Sequence, residues 1–179
     1  MNGSSNTLAA AEFQRVFAAL GDLSPVQVRA LLAALDSVQV AAGAPIVAPG
    51  GANDSLYLIS SGRVRVTLET ERVTVTLGEF GAGQWFGEMA MIDPAPANAT
   101  VRAVKDCTLL VLNHRRFLEL RRSQPDLSSI LLQTFSHHLT GRLRETLQHL
   151  DPQGTAEEHR GWLLDAVRRL MGVATRSAT

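Results

Sequence analysis

Residues 62–69 read GRVRVTLE, and the strict alternation of this stretch decides the fold class. Val64, Val66 and Leu68 fall on one face, and Arg63, Arg65 and Thr67 on the other. That is the period of two shown by a half-buried strand. Outward in both directions the chain keeps to short β-rich runs. These are VQV at 38–40, PIV at 45–47, SLYLIS at 55–60, VTVTLGEF at 73–80, ATVRAV at 99–104 and CTLLVL at 107–112. Gly43, Gly50, Gly62, Gly78, Gly81 and Gly83 punctuate them, and each is expected to break a run. Many short strands with glycine punctuation predict a mainly β fold, most simply a jelly-roll-like β-barrel.

Helical periodicity flanks the β region on both sides. Leu8, Phe13, Val16, Phe17 and Leu20 form one apolar stripe. After Gly21, GDLSPVQVRALLAAL predicts a second helix with Ser24 as its cap and Pro25 at its first position. Beyond the strands, NHRRFLELRR predicts a short helix capped by Asn113 and ending near Ser123-Gln124-Pro125. A long helix then opens at Pro125 or Asp126. Its apolar stripe is Leu132, Phe135, Leu139, Leu143, Leu147 and Leu150, and Asp151-Pro152-Gln153-Gly154 breaks it. A last amphipathic segment, TAEEHRGWLLDAVRRLM, carries Leu163, Ala166, Val167 and Leu170 on one face. The expected organisation is an N-terminal helical segment over 1–36, a β-roll over 37–112, C-terminal helices over 113–151 and an extra helix with tail over 152–179.

Composition narrows the function classes. The chain has 179 residues, 17 basic and 17 acidic, for a formal net charge of zero. Strong non-specific attraction to nucleic acid or anionic membrane is not expected of it. Arg115, Arg116, Arg121, Arg122, Arg142 and Arg144 do gather in the last third, interleaved with acids, as on solvated helix faces. One cysteine, Cys107, sits in an apolar run and excludes an internal disulfide. No basic-then-apolar leader and no run of about 18 apolar residues occurs, so the expectation is a cytoplasmic protein without a membrane span. Histidines 114, 137, 138, 149 and 159 lack ligand spacing, so no metal site is expected. No nucleophile elbow, Walker loop or GxGxxG is present, and the chain is not expected to be an enzyme.

Residues 83–92, GQWFGEMAMI, carry the chemistry. A glycine turn and two aromatics lead to Gly87, then to a single helical turn. A helix start presents N–H groups to an anion, Gly87 allows close approach, and Glu88 can accept from a ligand hydroxyl. Trp85 alternates with Phe86 and reads as a core or interface residue.

The ordered glycines, DSLYLISSGRVRV, GQWFGEMA, ATVRA and the helix pair after them make the chain resemble the cyclic nucleotide-binding domain family from about Val16 to Leu150. The resemblance implies a roll whose phosphate-binding cassette holds cAMP or cGMP, with C-terminal helices that act as lid or dimer contact. It implies that Gly87 is the cassette glycine, that Glu88 takes the ribose hydroxyl, and that Met89 and Ala90 offer backbone donors to the cyclic phosphate. It also implies an arginine on the phosphate, then a small residue, then Ala-Thr-Val. Here the order is Pro96, Ala97, Asn98, Ala99, Thr100, Val101. Ala97 therefore stands at the arginine position and Asn98 at the small one, with Ala99 beside them in the set of ligand-binding positions.

Loss of a guanidinium leaves the phosphate to be met by dipoles. Two prolines, Pro94 and Pro96, remove N–H donors from the preceding loop. Arg102 is not placed to substitute, whereas the Asn98 amide can donate. The expected function is a stand-alone sensor that binds cAMP or cGMP weakly or atypically and signals through its C-terminal helices to a protein partner or in a homodimer. The alternative is an interaction domain without a ligand. A third reading, ranked below these, is a fragment of a catabolite-activator-type transcription factor, which shares the roll; the residues after Leu150 are too few for its winged helix-turn-helix, so no DNA-binding domain is expected unless the chain is such a fragment.

Overall fold

The computed structural model describes residues 10–51, 53–69, 74–97 and 99–148. Two compact units divide the chain, Met1–Ser136 and His137–Thr179, and the roll lies in the first. Its elements run α1 (Ala10–Val16), a 3-10 turn (Ala18–Leu20), α2 (Pro25–Ala34), β1 (Asp36–Val40), β2 (Pro45–Val47), β3 (Ser55–Glu69), β4 (Thr74–Gly81), β5 (Trp85–Phe86), α3 (Met89–Ile92), β6 (Thr100–Asn113), α4 (His114–Ser123) and α5 (Pro125–Gln148). The last of these continues into the second unit. The expected helix over 155–171, and Leu150 of the apolar stripe, lie outside the described residues. No helix among the described residues is long and apolar enough to cross a membrane.

All strand pairs are antiparallel, in the order β1-β6-β3-β4, with β2 on β6 and β5 on β3. The sheet is the jelly-roll-like roll that the strand pattern suggests, and among the described residues its pairing path has two ends, at β1 and β4. Two long strands make it curl. β3 pairs β5 with its first half and β4 with its second, and β6 pairs β2 early and β1 late.

Three glycines expected as breaks lie in strands, Gly62 and Gly78 in the interior and Gly81 as the last residue of β4. Gly62 has φ +94, and a Cβ there would stand 2.3 Å from the Asp106 carbonyl oxygen and 2.6 Å from Cys107 Sγ. The β3–β6 register shifts on either side of it, so this glycine lets two strands cross closely while both bend. Gly78 lies in β4, where the register on β3 slips between Val66 and Thr67.

Alternation splits the apolar residues between two cores. Leu56, Leu58, Leu110 and Leu112 face outward from the roll and pack with Phe13, Phe17, Phe117, Leu127, Leu131 and Phe135 of the helices. Ile59, Val64, Phe86, Val101, Ala103, Cys107 and Leu109 fill the inside. Each large side chain buried in this way contributes about 1.5–3 kcal/mol. The Cys107 thiol is buried within 3.0 Å of the Lys105 carbonyl oxygen, an inert packing position.

The helix starts follow their caps. Ser24 Oγ accepts from the Gln27 N–H at 3.3 Å while Gln27 Oε1 accepts from the Ser24 N–H at 2.9 Å, a complete capping box ahead of Pro25. Asn113 Oδ1 accepts from the Arg116 N–H at 2.9 Å and opens α4. In α5 the buried line is Leu127, Leu131 and Phe135, with Leu132 only half-buried, so the packed stripe starts one turn earlier than the leucine pattern suggests.

Candidate functional site

The β5 strand sends its two aromatics in opposite directions. Trp85 is buried in the outer core, 5.9 Å from Phe135 in an edge-on contact. Phe86 enters the inner core and stacks on Tyr57 at 4.8 Å and 8°. Burial, with the Asp54 carboxylate second, pushes the Tyr57 phenol above its usual range, against a lowering hydrogen bond from Ser55. Tyr57 is therefore a neutral wall of the roll interior.

Gly87 follows with φ +81, and a Cβ there would stand 2.4 Å from the Ser55 carbonyl oxygen and 3.3 Å from Tyr57 Cδ2. The fold itself demands glycine at this position. Glu88 is 2% exposed, one of few buried polar side chains among the described residues. Met89 opens the α3 turn, where a helical N–H has no acceptor inside its own turn. The Ala90 N–H donates to the Gly87 carbonyl at 3.1 Å, so this expected donor is already engaged.

Ala97 is 6% exposed. Its N–H donates to the Gly51 carbonyl at 3.0 Å, and its carbonyl accepts from the Gly50 N–H at 2.9 Å. These two bonds tie the end of the cassette loop to the turn that precedes β3. Asn98 lies outside the described residues, and Ala99 is half-buried. Next to it, Thr100 is buried and donates through Oγ1 to Glu69 Oε1 at 3.1 Å.

A model of the cyclic nucleotide-binding domain matches residues 37–124. Those residues are a cyclic nucleotide-binding domain. A cyclic nucleotide-gated potassium channel of Rhizobium etli is 38% identical over 95 residues, which are 53% of this chain and 25% of the channel. The cyclic AMP receptor protein of Thermus thermophilus is 35% identical over 113 residues, 61% of this chain and 49% of the receptor. The chain thus spans half or less of the length of these relatives. The crystal structure of a cyclic nucleotide-binding domain from Methylobacillus flagellatus aligns with TM-score 0.75 and 27% identity, over 83% of this chain and 88% of the other.

Within this cyclic nucleotide-binding domain, the described guanidinium groups on the strands of the roll have partners away from Ala97. Arg102 is exposed on β6 and reaches the Gly43 carbonyl oxygen at 3.4 Å. Arg65 and Arg63 lie 2.7 and 3.6 Å from Glu79 on β4. Sequence reasoning missed two contributors to the cassette. The Gly50–Gly51 turn holds Ala97, and its double glycine was a legible signal. His114 holds Ala90 through a 2.8 Å contact, and no sequence pattern announces it.

Proposed function

We propose that this chain is a regulatory module whose roll binds cAMP or cGMP weakly, through a cassette that meets the cyclic phosphate without its cation. Occupancy is relayed through α4 and α5 to a protein partner or a second copy of the chain, in the cytoplasm and without catalysis. The burial of Glu88 beside Gly87 carries this reading. A ribose hydroxyl is the donor for which the resemblance assigns this position. Ala97 sets the strength. Removing one charge-assisted bond costs about 1.5–3 kcal/mol, roughly tenfold to a hundredfold in affinity.

The tight seating of Ala97 between Gly50 and Gly51 favours a second reading, an interaction domain that has given up its nucleotide. Calorimetric titration of cAMP and cGMP into the full chain separates the two. Saturable heat that disappears in Glu88→Ala, with that variant folded, supports the sensor. Absence of heat up to millimolar nucleotide supports the interaction domain.

A further inference from the structure

His114 opens α4 directly after its cap Asn113 and is half-buried. Its ring Nδ1 lies 2.8 Å from the Ala90 carbonyl oxygen in α3. A carbonyl can only accept, so Nδ1 carries a proton and the ring donates whether neutral or charged. The backbone N–H of the same residue donates to the Asp54 carbonyl at 2.6 Å.

These bonds close a ring. Asp54 precedes Ser55, whose carbonyl oxygen lies too near Gly87 to admit a Cβ. The Gly87 carbonyl accepts from Ala90, the Ala90 carbonyl accepts from His114, and His114 returns the chain of contacts to Asp54. Two residues on, Arg116 Nη1 donates to the Ala34 carbonyl at 3.2 Å and lies 2.8 Å from Asp36 Oδ2. The first turn of α4 is therefore bonded to the cassette, the start of β3, the end of α2 and the start of β1.

We propose that His114 is a positioning residue of the cassette, and that its bond to Ala90 fixes the orientation of α3 against α4. Buried Ala90 and Met91 already hold α3 to the outer core, but apolar burial is non-directional. A hydrogen bond is directional, and this one sets which way the turn faces. With only four residues, α3 has little of its own to keep that orientation. The inference concerns the unliganded chain and stands or falls apart from any nucleotide.

Residue-resolved amide hydrogen exchange on the full chain tests it, with His114→Ala, His114→Asn and His114→Gln. The Asn amide nitrogen takes about the place of Nδ1, whereas the Gln amide reaches toward Nε2. In His114→Ala, exchange at Ala90, Met91 and Asp93 rises about fivefold to tenfold, while Ile59 and Leu109 in the sheet keep their rates. Asn restores the three cassette amides to within about twofold of the original rates, and Gln does not. Unchanged cassette amides in His114→Ala overturn the proposal. So does acceleration equal to that of Ile59 and Leu109, or failure of Asn to restore. Should His114→Ala not fold, the Asn and Gln variants carry the same comparison, and equal exchange in the two overturns it.

Discussion

The two halves of the cassette are held by different things. From Phe86 to Met91 every residue is fixed by its surroundings. Phe86 stacks on Tyr57, Gly87 fits against Ser55, Glu88 is buried, and Ala90 bonds to Gly87 and His114. From Ile92 to Pro96 the side chains are exposed, and at Ala97 the loop is tied down again by backbone bonds to a glycine turn. The contrast teaches which residues report on ligand. Gly87 would be kept by the roll with or without a nucleotide, so its presence says little about binding. Ala97 says more, since the backbone bonds that hold it to Gly50 and Gly51 do not involve its side chain.

The largest effect belongs to Gly87→Ala, where positive φ and a 2.4 Å approach to the Ser55 carbonyl act together. Urea unfolding should show a loss of about 2–4 kcal/mol. A loss under 1 kcal/mol would mean that the first half is less constrained than its geometry indicates.

Arg116→Ala comes next. It removes the link from α4 to Ala34 and Asp36, a pair only partly shielded from solvent, and should cost about 1 kcal/mol in the same assay. In the second half, exposed Pro96→Ala should stay within about 0.5 kcal/mol of the original chain. A larger loss would show the proline loop to be part of the scaffold.

The smallest effect is electrostatic and lies away from the cassette. The hydrogen bond from Arg65 lowers the Glu79 carboxyl below its ordinary 4.5, with the Arg65 and Arg63 charges adding to it. A depressed folded pKa gives a contribution present above the unfolded value and lost as pH falls through the folded one. Unfolding followed from pH 7 into the acid range below 4.5 should show a slightly shallower decline for Glu79→Gln than for the unmodified chain. An identical decline in both would mean that the ion pair adds nothing to acid stability.

Much of the scaffold was legible because its signals are local. Ser24 with Gln27, and Asn113 with Arg116, satisfy helix ends within three residues. The alternation of Val64 and Leu68 against Arg65 survives as inside against outside. What escaped was long-range. Gly62 reads as punctuation in sequence, but its reason is the approach of Asp106 and Cys107 from 44 and 45 positions away. The strands at 55–60 and 62–69 are one strand for that reason. Which edges meet in the roll, β1 on β6 and β4 on β3, is likewise long-range and leaves no trace in composition. In the site, the candidates Gly87, Glu88 and Ala97 are read from their order in the chain, whereas His114 meets Ala90 across 24 residues.

The proposed cassette has the shape of a phosphate site with alanine where the cation would stand. The most direct test is calorimetric titration of cAMP and cGMP into the unmodified chain and into Ala97→Arg, with thermal unfolding of both to establish that each is folded. The Ala97→Arg variant should bind one nucleotide about tenfold to a hundredfold more tightly than the unmodified chain. A folded Ala97→Arg variant that binds no more tightly than the original would contradict this proposal.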